Sequence, residues 1–235
     1  MQDFHFPNWV NRFTLLILGG GAGLAVYVAT VLFFATLPQT INLGHKPKQP
    51  VPFSHRIHAG LLQLDCRYCH NTVHDAAHAA IPPTATCGNC HGGNRVVDGR
   101  TLGVIWPEND TLEPVRSSLE SAKYGEEAGD PVLWVRVHDL PDFVYFNHSA
   151  HINRGVACVS CHGRIDLMEI VEQKELLSMK WCLDCHRNPT PNIRDPELVT
   201  KMDFEPPNGD WSAYGEEWVE KLGIDPNTNC STCHR

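Results

Sequence analysis

The ten cysteines of this chain of 235 residues fall into pairs with two residues between the members, and a histidine follows every pair. The five copies are Cys66, Cys69 and His70; Cys87, Cys90 and His91; Cys158, Cys161 and His162; Cys182, Cys185 and His186; and Cys230, Cys233 and His234. Two thiols at this spacing can each add to a vinyl group of one porphyrin, and the next imidazole then lies under the iron as its proximal ligand. The pattern reads as attachment of five covalently bound haem c groups. Zinc explains it less well: two C-x-x-C pairs make one four-cysteine site, so five pairs leave one over, and zinc gives no reason for the histidines. Disulfides between residues three apart are strained and explain the histidines no better.

Each iron needs a ligand on its other face, and nine of the fourteen histidines lie outside the motifs. His5 precedes a long apolar run, which leaves His45, His55, His58, His74, His78, His138, His148 and His151, with Met168, Met179 and Met202 as sulfur alternatives. An F-x-H-x-x-H element occurs twice, as Phe53, His55 and His58 ahead of Cys66 and as Phe146, His148 and His151 ahead of Cys158. Residues three apart on a helix project to one side and can serve two neighbouring haems. His55, His58, His148 and His151 are therefore the expected distal ligands, and the fifth vacancy goes to His138, Met168 or Met179. His45, His74 and His78 read as surface or internally satisfied histidines. An iron with both axial positions filled has no open site for a substrate, so the string conducts rather than transforms. No Gly-rich phosphate loop or Ser-His-Asp constellation supplies a second chemistry, and no catalytic residue is expected.

The elements that must position these residues are short. Hydrophobic residues make up 42% of the chain, much of it in one N-terminal run, and seventeen Pro and eighteen Gly divide the rest. That composition predicts a loop-rich multihaem cytochrome c with short α-helices, folded around porphyrin faces in place of a large apolar core. Residues 165–180 have apolar spacing suited to a helix leading into Cys182, and a second short helix is expected over 213–222. A net charge of −8 excludes a basic field for nucleic acid.

Residues 13–37 are 25 positions without a charge, long enough to cross the lipid bilayer once as a helix. No small-x-small cleavage pattern follows, which favours a retained anchor over a signal peptide. Gly19, Gly20, Gly21 and Gly23 permit close approach of a neighbouring membrane helix. Thioether attachment occurs outside the bacterial cytoplasmic (inner) membrane, so the haem domain is expected on the periplasmic side. The expected organisation is 1–12 cytoplasmic, 13–37 transmembrane anchor, 38–52 linker, 53–93 two-haem module, 94–141 insert and 142–235 three-haem module.

F-x-H-x-x-H followed by C-x-x-C-H resembles the class III cytochromes, the c3 and c7 group, in both modules. The resemblance implies that His55 and His148 serve the haems on Cys66 and Cys158, and that His58 and His151 bridge to other haems of their modules. The stretches CRYCH, AAIPPTATCGNCH, RVHDLPDFVYFNHSAH, CVSCHGRID and LSMKWCLDCHRNP are also similar to the membrane-anchored pentahaem subunits of bacterial alternative complex III, a quinol-oxidising respiratory complex. This likeness implies a quinol-binding multispan membrane subunit, an iron-sulfur subunit and a separate monohaem cytochrome c as partners. The expected function is electron relay within such a complex, towards cytochrome c or a terminal oxidase. The alternatives are a free-standing membrane-anchored quinol dehydrogenase and a multihaem reductase of a small oxyanion.

Overall fold

A computed structural model describes residues 6–37, 42–92, 95–97, 99–102, 105, 109–120 and 130–234. Residues 1–5, the start of the expected linker at 38–41, parts of the insert and Arg235 lie outside the described residues. The chain forms two units, Met1–Leu43 and Gly44–Arg235.

The first unit contains α1, Asn8–Ala35, a helix of 28 residues with no buried residue. It starts five positions before the charge-free run and ends two before that run does. At 1.5 Å per residue it is about 42 Å long, against a hydrocarbon core of about 30 Å. The hydroxyls of Thr14 and Thr30 donate to the carbonyls of Val10 and Val26, at 2.9 and 2.8 Å. Satisfying side-chain donors within the helix is what a lipid environment requires. This helix is long and apolar enough to cross a membrane.

In the second unit, five short helices carry the motifs: α2 Cys66–Cys69, α3 Thr84–His91, α6 Cys158–His162, α7 Met179–Arg187 and α9 Cys230–Cys233. A single helical turn sets two cysteines three apart on one side with the histidine next to the second, so little else is needed at each motif. Two of the five turns, α2 and α7, are started by side-chain caps. Asp65 Oδ1 accepts from the Arg67 amide at 2.8 Å, and Ser178 Oγ from the Trp181 amide at 3.3 Å. The other helices are α4 Glu113–Glu120, α5 His148–Ile152 and α8 Trp211–Leu222. A π-helical turn at Arg56–Leu61 follows His55. A two-stranded antiparallel hairpin, β1 Arg95–Val97 and β2 Arg100–Leu102, interrupts the helices and loops. Gly99, at φ 74°, supplies the left-handed backbone its two-residue turn needs.

The apolar core is thin. Among the described residues the buried hydrophobic side chains are Val51, Val73, Val115, Ile152, Ala157, Ile193 and Val199. A unit of this length that buries so few side chains needs another apolar mass to fold around. Backbone approaches are correspondingly close. α8 packs through Gly215, where a Cβ would collide with the Thr190 carbonyl, onto the turn at Thr190–Asn192. α3 packs through Gly88 against Leu119 of α4.

The helix expected over 165–180 does not form. Only a 3-10 turn at Ile165–Leu167 and the first residues of α7 are helical there. The backbone bonds elsewhere instead. The Met168 carbonyl accepts from the Arg56 amide at 3.0 Å, the Gln173 amide donates to the His45 carbonyl at 3.1 Å, and the Gln173 carbonyl accepts from the Gly44 amide at 2.8 Å. Ion pairs from Arg56 to Glu169 and from Lys46 to Glu172 hold the same two segments together. Tertiary pairing thus takes the donors and acceptors that an i to i−4 ladder would use. The same contacts lay residues 44–51, the later part of the expected linker, along the second unit. The Gln49 amide extends them by clasping the Val135 backbone at 2.9 and 2.8 Å.

Candidate haem centre

The two F-x-H-x-x-H elements adopt nearly the same side-chain geometry. Phe53 stacks on His58 at 4.3 Å and 25°, and meets His55 edge-on at 4.8 Å and 87°. Phe146 stacks on His151 at 4.5 Å and 28°, and meets His148 at 4.7 Å and 87°. One aromatic ring therefore orients two imidazoles in each element, which is why the phenylalanine belongs to the pattern.

Backbone carbonyls then fix the tautomers. Nδ1–H of His58 donates to the Ser54 carbonyl at 2.8 Å and that of His151 to Asn147 at 2.7 Å, each four residues back. His148 donates to Ala77 at 2.8 Å. Three motif histidines do the same: His70 to Ala80 at 2.9 Å, His91 to Ile105 at 2.7 Å and His186 to Asn227 at 2.8 Å. With Nδ1 donating, Nε2 keeps its lone pair for a metal, and the carbonyl orients the ring.

These rings meet in pairs. His58 and His91 lie 6.2 Å apart, His151 and His186 6.2 Å, and His148 and His162 6.4 Å. An imidazole nitrogen sits about 2 Å from a metal, so two rings on opposite faces of one ion have centroids roughly 6 Å apart. His55 interacts electrostatically with His70. His138 lies against His162 at 4.4 Å and 76°, which is closer than opposite faces allow. The ring facing His234 is Phe143, at 5.8 Å and 29°. Met168 lies next to Gly163, and Met179 is 67% exposed at the first turn of α7.

Electrostatics favour ligation over protonation. Burial pushes His55 down to about 4 and His162 down to about 3, with neighbouring imidazoles adding to the effect. It also lowers His138, His148 and His151. A histidine that stays neutral presents the form that binds iron. Among the described residues, four histidine ring nitrogens are buried without a hydrogen-bond partner: His55 Nδ1, His74 Nε2, His138 Nε2 and His162 Nδ1. The thin core, the paired neutral imidazoles and the orphaned Nε2 of His74 and His138 together fit a set of bound porphyrins.

His74 lies outside every spacing pattern in the sequence. Its Nδ1–H donates to Asn153 Oδ1 at 2.8 Å, Asn153 Nδ2 donates back to the His74 carbonyl at 2.8 Å, and its Nε2 is buried. That is the polar arrangement of the paired histidines. No local pattern announces it, because Asn153 is 79 residues away. The carbonyl acceptors are equally invisible in sequence, since every residue has one.

The class of protein that this fold and site define is a multihaem c-type cytochrome. A family model for cytochrome c7 and related cytochrome c matches residues 51–104 and 144–235, and the chain belongs to that family. Membership carries covalently bound haem c with it. Both matched stretches begin beside an F-x-H-x-x-H element. The chain is also similar to "Menaquinone reductase, multiheme cytochrome c subunit" from Nitratidesulfovibrio vulgaris (strain Hildenborough), with 31% identity over 165 residues, 69% of each chain.

Proposed function

We propose that this chain carries five haem c groups and relays electrons within a quinol-oxidising respiratory membrane complex, towards cytochrome c or a terminal oxidase. The observation that carries this reading is the pairing of motif histidines with His58, His148 and His151 at 6.2 to 6.4 Å. Bound haem c supplies one-electron chemistry between ferric and ferrous iron. The chain contributes the rest. Cys66, Cys69, Cys87, Cys90, Cys158, Cys161, Cys182, Cys185, Cys230 and Cys233 hold the porphyrins covalently, and His70, His91, His162, His186 and His234 are the proximal ligands. His55, His58, His148 and His151 are distal ligands, and the fifth comes from His138, Met168 or Met179. The carbonyls of Ser54, Ala77 and Asn147 keep three distal imidazoles neutral and aimed.

In this reading α1 is a single span with the second unit on the periplasmic side, and a two-haem module at 53–93 joins a three-haem module at 142–235 across the insert. The partners are a quinol-binding multispan subunit, an iron-sulfur subunit and a monohaem cytochrome c, as in alternative complex III. The isolated chain has no turnover of its own. A second reading is favoured by the similarity to a menaquinone reductase subunit, and runs the same wire in the opposite direction, towards quinone.

Gentle detergent extraction from the native membrane tests both. Co-purifying multispan and iron-sulfur subunits, with rapid haem reduction by quinol, support the first. Haems reduced only by a low-potential donor, with quinone then consumed, support the second. A lone cytochrome inert towards quinol and quinone refutes both.

A further inference from the structure

The order of the haems in space does not follow from the order of their motifs along the chain. We propose that the five attachment sites form one row in the order Cys87–Cys90, Cys66–Cys69, Cys158–Cys161, Cys182–Cys185, Cys230–Cys233, and that redox partners dock at its two ends. The proposal rests on the pentahaem reading above.

Each junction in the row has its own contact. The first joins the second motif to the first, where Asn89 Nδ2 donates to Tyr68 Oη at 2.9 Å and each residue lies inside its C-x-x-C loop. His58, on the turn that follows His55, faces His91 of the second motif at 6.2 Å.

The second junction crosses between the modules. Val199 and Thr200, consecutive in the chain, touch both motifs. The Val199 carbonyl accepts from the Cys158 amide at 3.1 Å, and the Thr200 carbonyl lies 3.9 Å from Cys66 Sγ. Thr200 Oγ1 also donates to Asp65 Oδ2 at 3.1 Å, so the cap of α2 is tied to the same backbone.

At the third junction, the single short helix α5 presents His148 to His162 and His151 to His186, at 6.4 and 6.2 Å. At the fourth, the Asn227 carbonyl, three residues before Cys230, accepts a hydrogen bond from His186 Nδ1–H at 2.8 Å. Exposure agrees with the order. Of the ten cysteines only Cys90 and Cys230 are exposed, and these belong to the two sites at the ends. Middle sites are shielded by neighbours on both sides, whereas an end leaves one porphyrin edge open to another protein.

The experiment uses the full-length protein in detergent. Its mass first counts the haems; any number other than five refutes the pentahaem reading itself, independently of the order. Iron positions are then read by electron cryo-microscopy of the same sample. The expected result is that the iron on the Cys66 motif has the irons of the Cys87 and Cys158 motifs as its nearest neighbours. An iron of the Cys87 motif lying nearest to that of the Cys182 or Cys230 motif overturns the row.

Docking at the ends is tested with Ala85→Arg, at an exposed position of α3, and Ser231→Arg, mixed in turn with reduced soluble monohaem cytochrome c as the probe. A several-fold change in electron-exchange rate is expected in at least one variant, with haem content unchanged. If Ala85→Arg fails to mature, Ser231→Arg and Thr232→Arg, at the other end, carry the comparison. Unchanged rates in every variant that matures overturn the assignment of the ends as partner sites.

Discussion

The rings of His151 and His186 stand 6.2 Å apart at a tilt of 48°, although 35 positions separate them in the chain. If they share one iron, His151→Ala leaves that iron five-coordinate. A high-spin signal is then expected in the electron paramagnetic resonance spectrum of the oxidised protein, from one haem, with total haem content unchanged. His151→Met should instead keep a six-coordinate iron at a raised potential. A spectrum identical to wild type for His151→Ala would remove His151 from the ligand set.

The buried histidines predict an acid-side loss of stability. His55 is held at about 4 and His162 at about 3 in the folded state, against 6.5 unfolded. Below pH 6.5 the unfolded chain takes up protons that the folded chain refuses, whether burial alone or a bound iron keeps these imidazoles neutral, so stability falls as pH drops. The slope is on the order of 1.4 kcal/mol per pH unit for each histidine. Denaturant midpoints at pH 7, 5.5 and 4.5 measure it, and a midpoint independent of pH over this range contradicts the account.

Asp65 predicts a different window. Hydrogen bonding from the Arg67 side chain, aided by Thr200, holds its carboxyl at about 2, against an ordinary 3.8. Its contribution is present above pH 3.8 and is lost as pH falls through about 2. Asp65→Ala removes the cap of α2 and should cost about 1 kcal/mol at neutral pH. Asp65→Asn keeps a capping oxygen, so it should lose less at pH 7 and converge with wild type below pH 2. Thermal melts of the three proteins at pH 7 and pH 2 check this.

Gly215 lies where α8 meets the Thr190 carbonyl. Gly215→Ala forces the helix away from the turn, with an expected cost of about 1–3 kcal/mol. Gly223 caps the same helix with left-handed backbone and has open space around it, so Gly223→Asn should be tolerated better. Equal melting temperatures for wild type and Gly215→Ala would show that the packing there is loose.

Whatever depends on local spacing can be read directly from neighbouring residues. Cys66 to His70 and its four counterparts are legible as motifs because their spacing fits within one helical turn. The charge-free run at 13–37 is legible because membrane crossing depends on length and polarity alone. The repeated F-x-H-x-x-H was legible as a repeat for the same reason, whereas the ring stacking of Phe53 on His58 and of Phe146 on His151 emerged only in the fold. The tertiary structure decided which imidazole faces which. Pairings such as His58 with His91 and the anchoring of His74 by Asn153 join distant segments, and no periodicity encodes them. It also overruled the helical pattern over 165–180, because amides near Gly44, His45 and Arg56 offered that backbone partners a local helix had to compete with. Distance along the chain sets the division: contacts within a turn are written in neighbouring residues, whereas contacts between segments exist only once a chain with so thin an apolar core has folded.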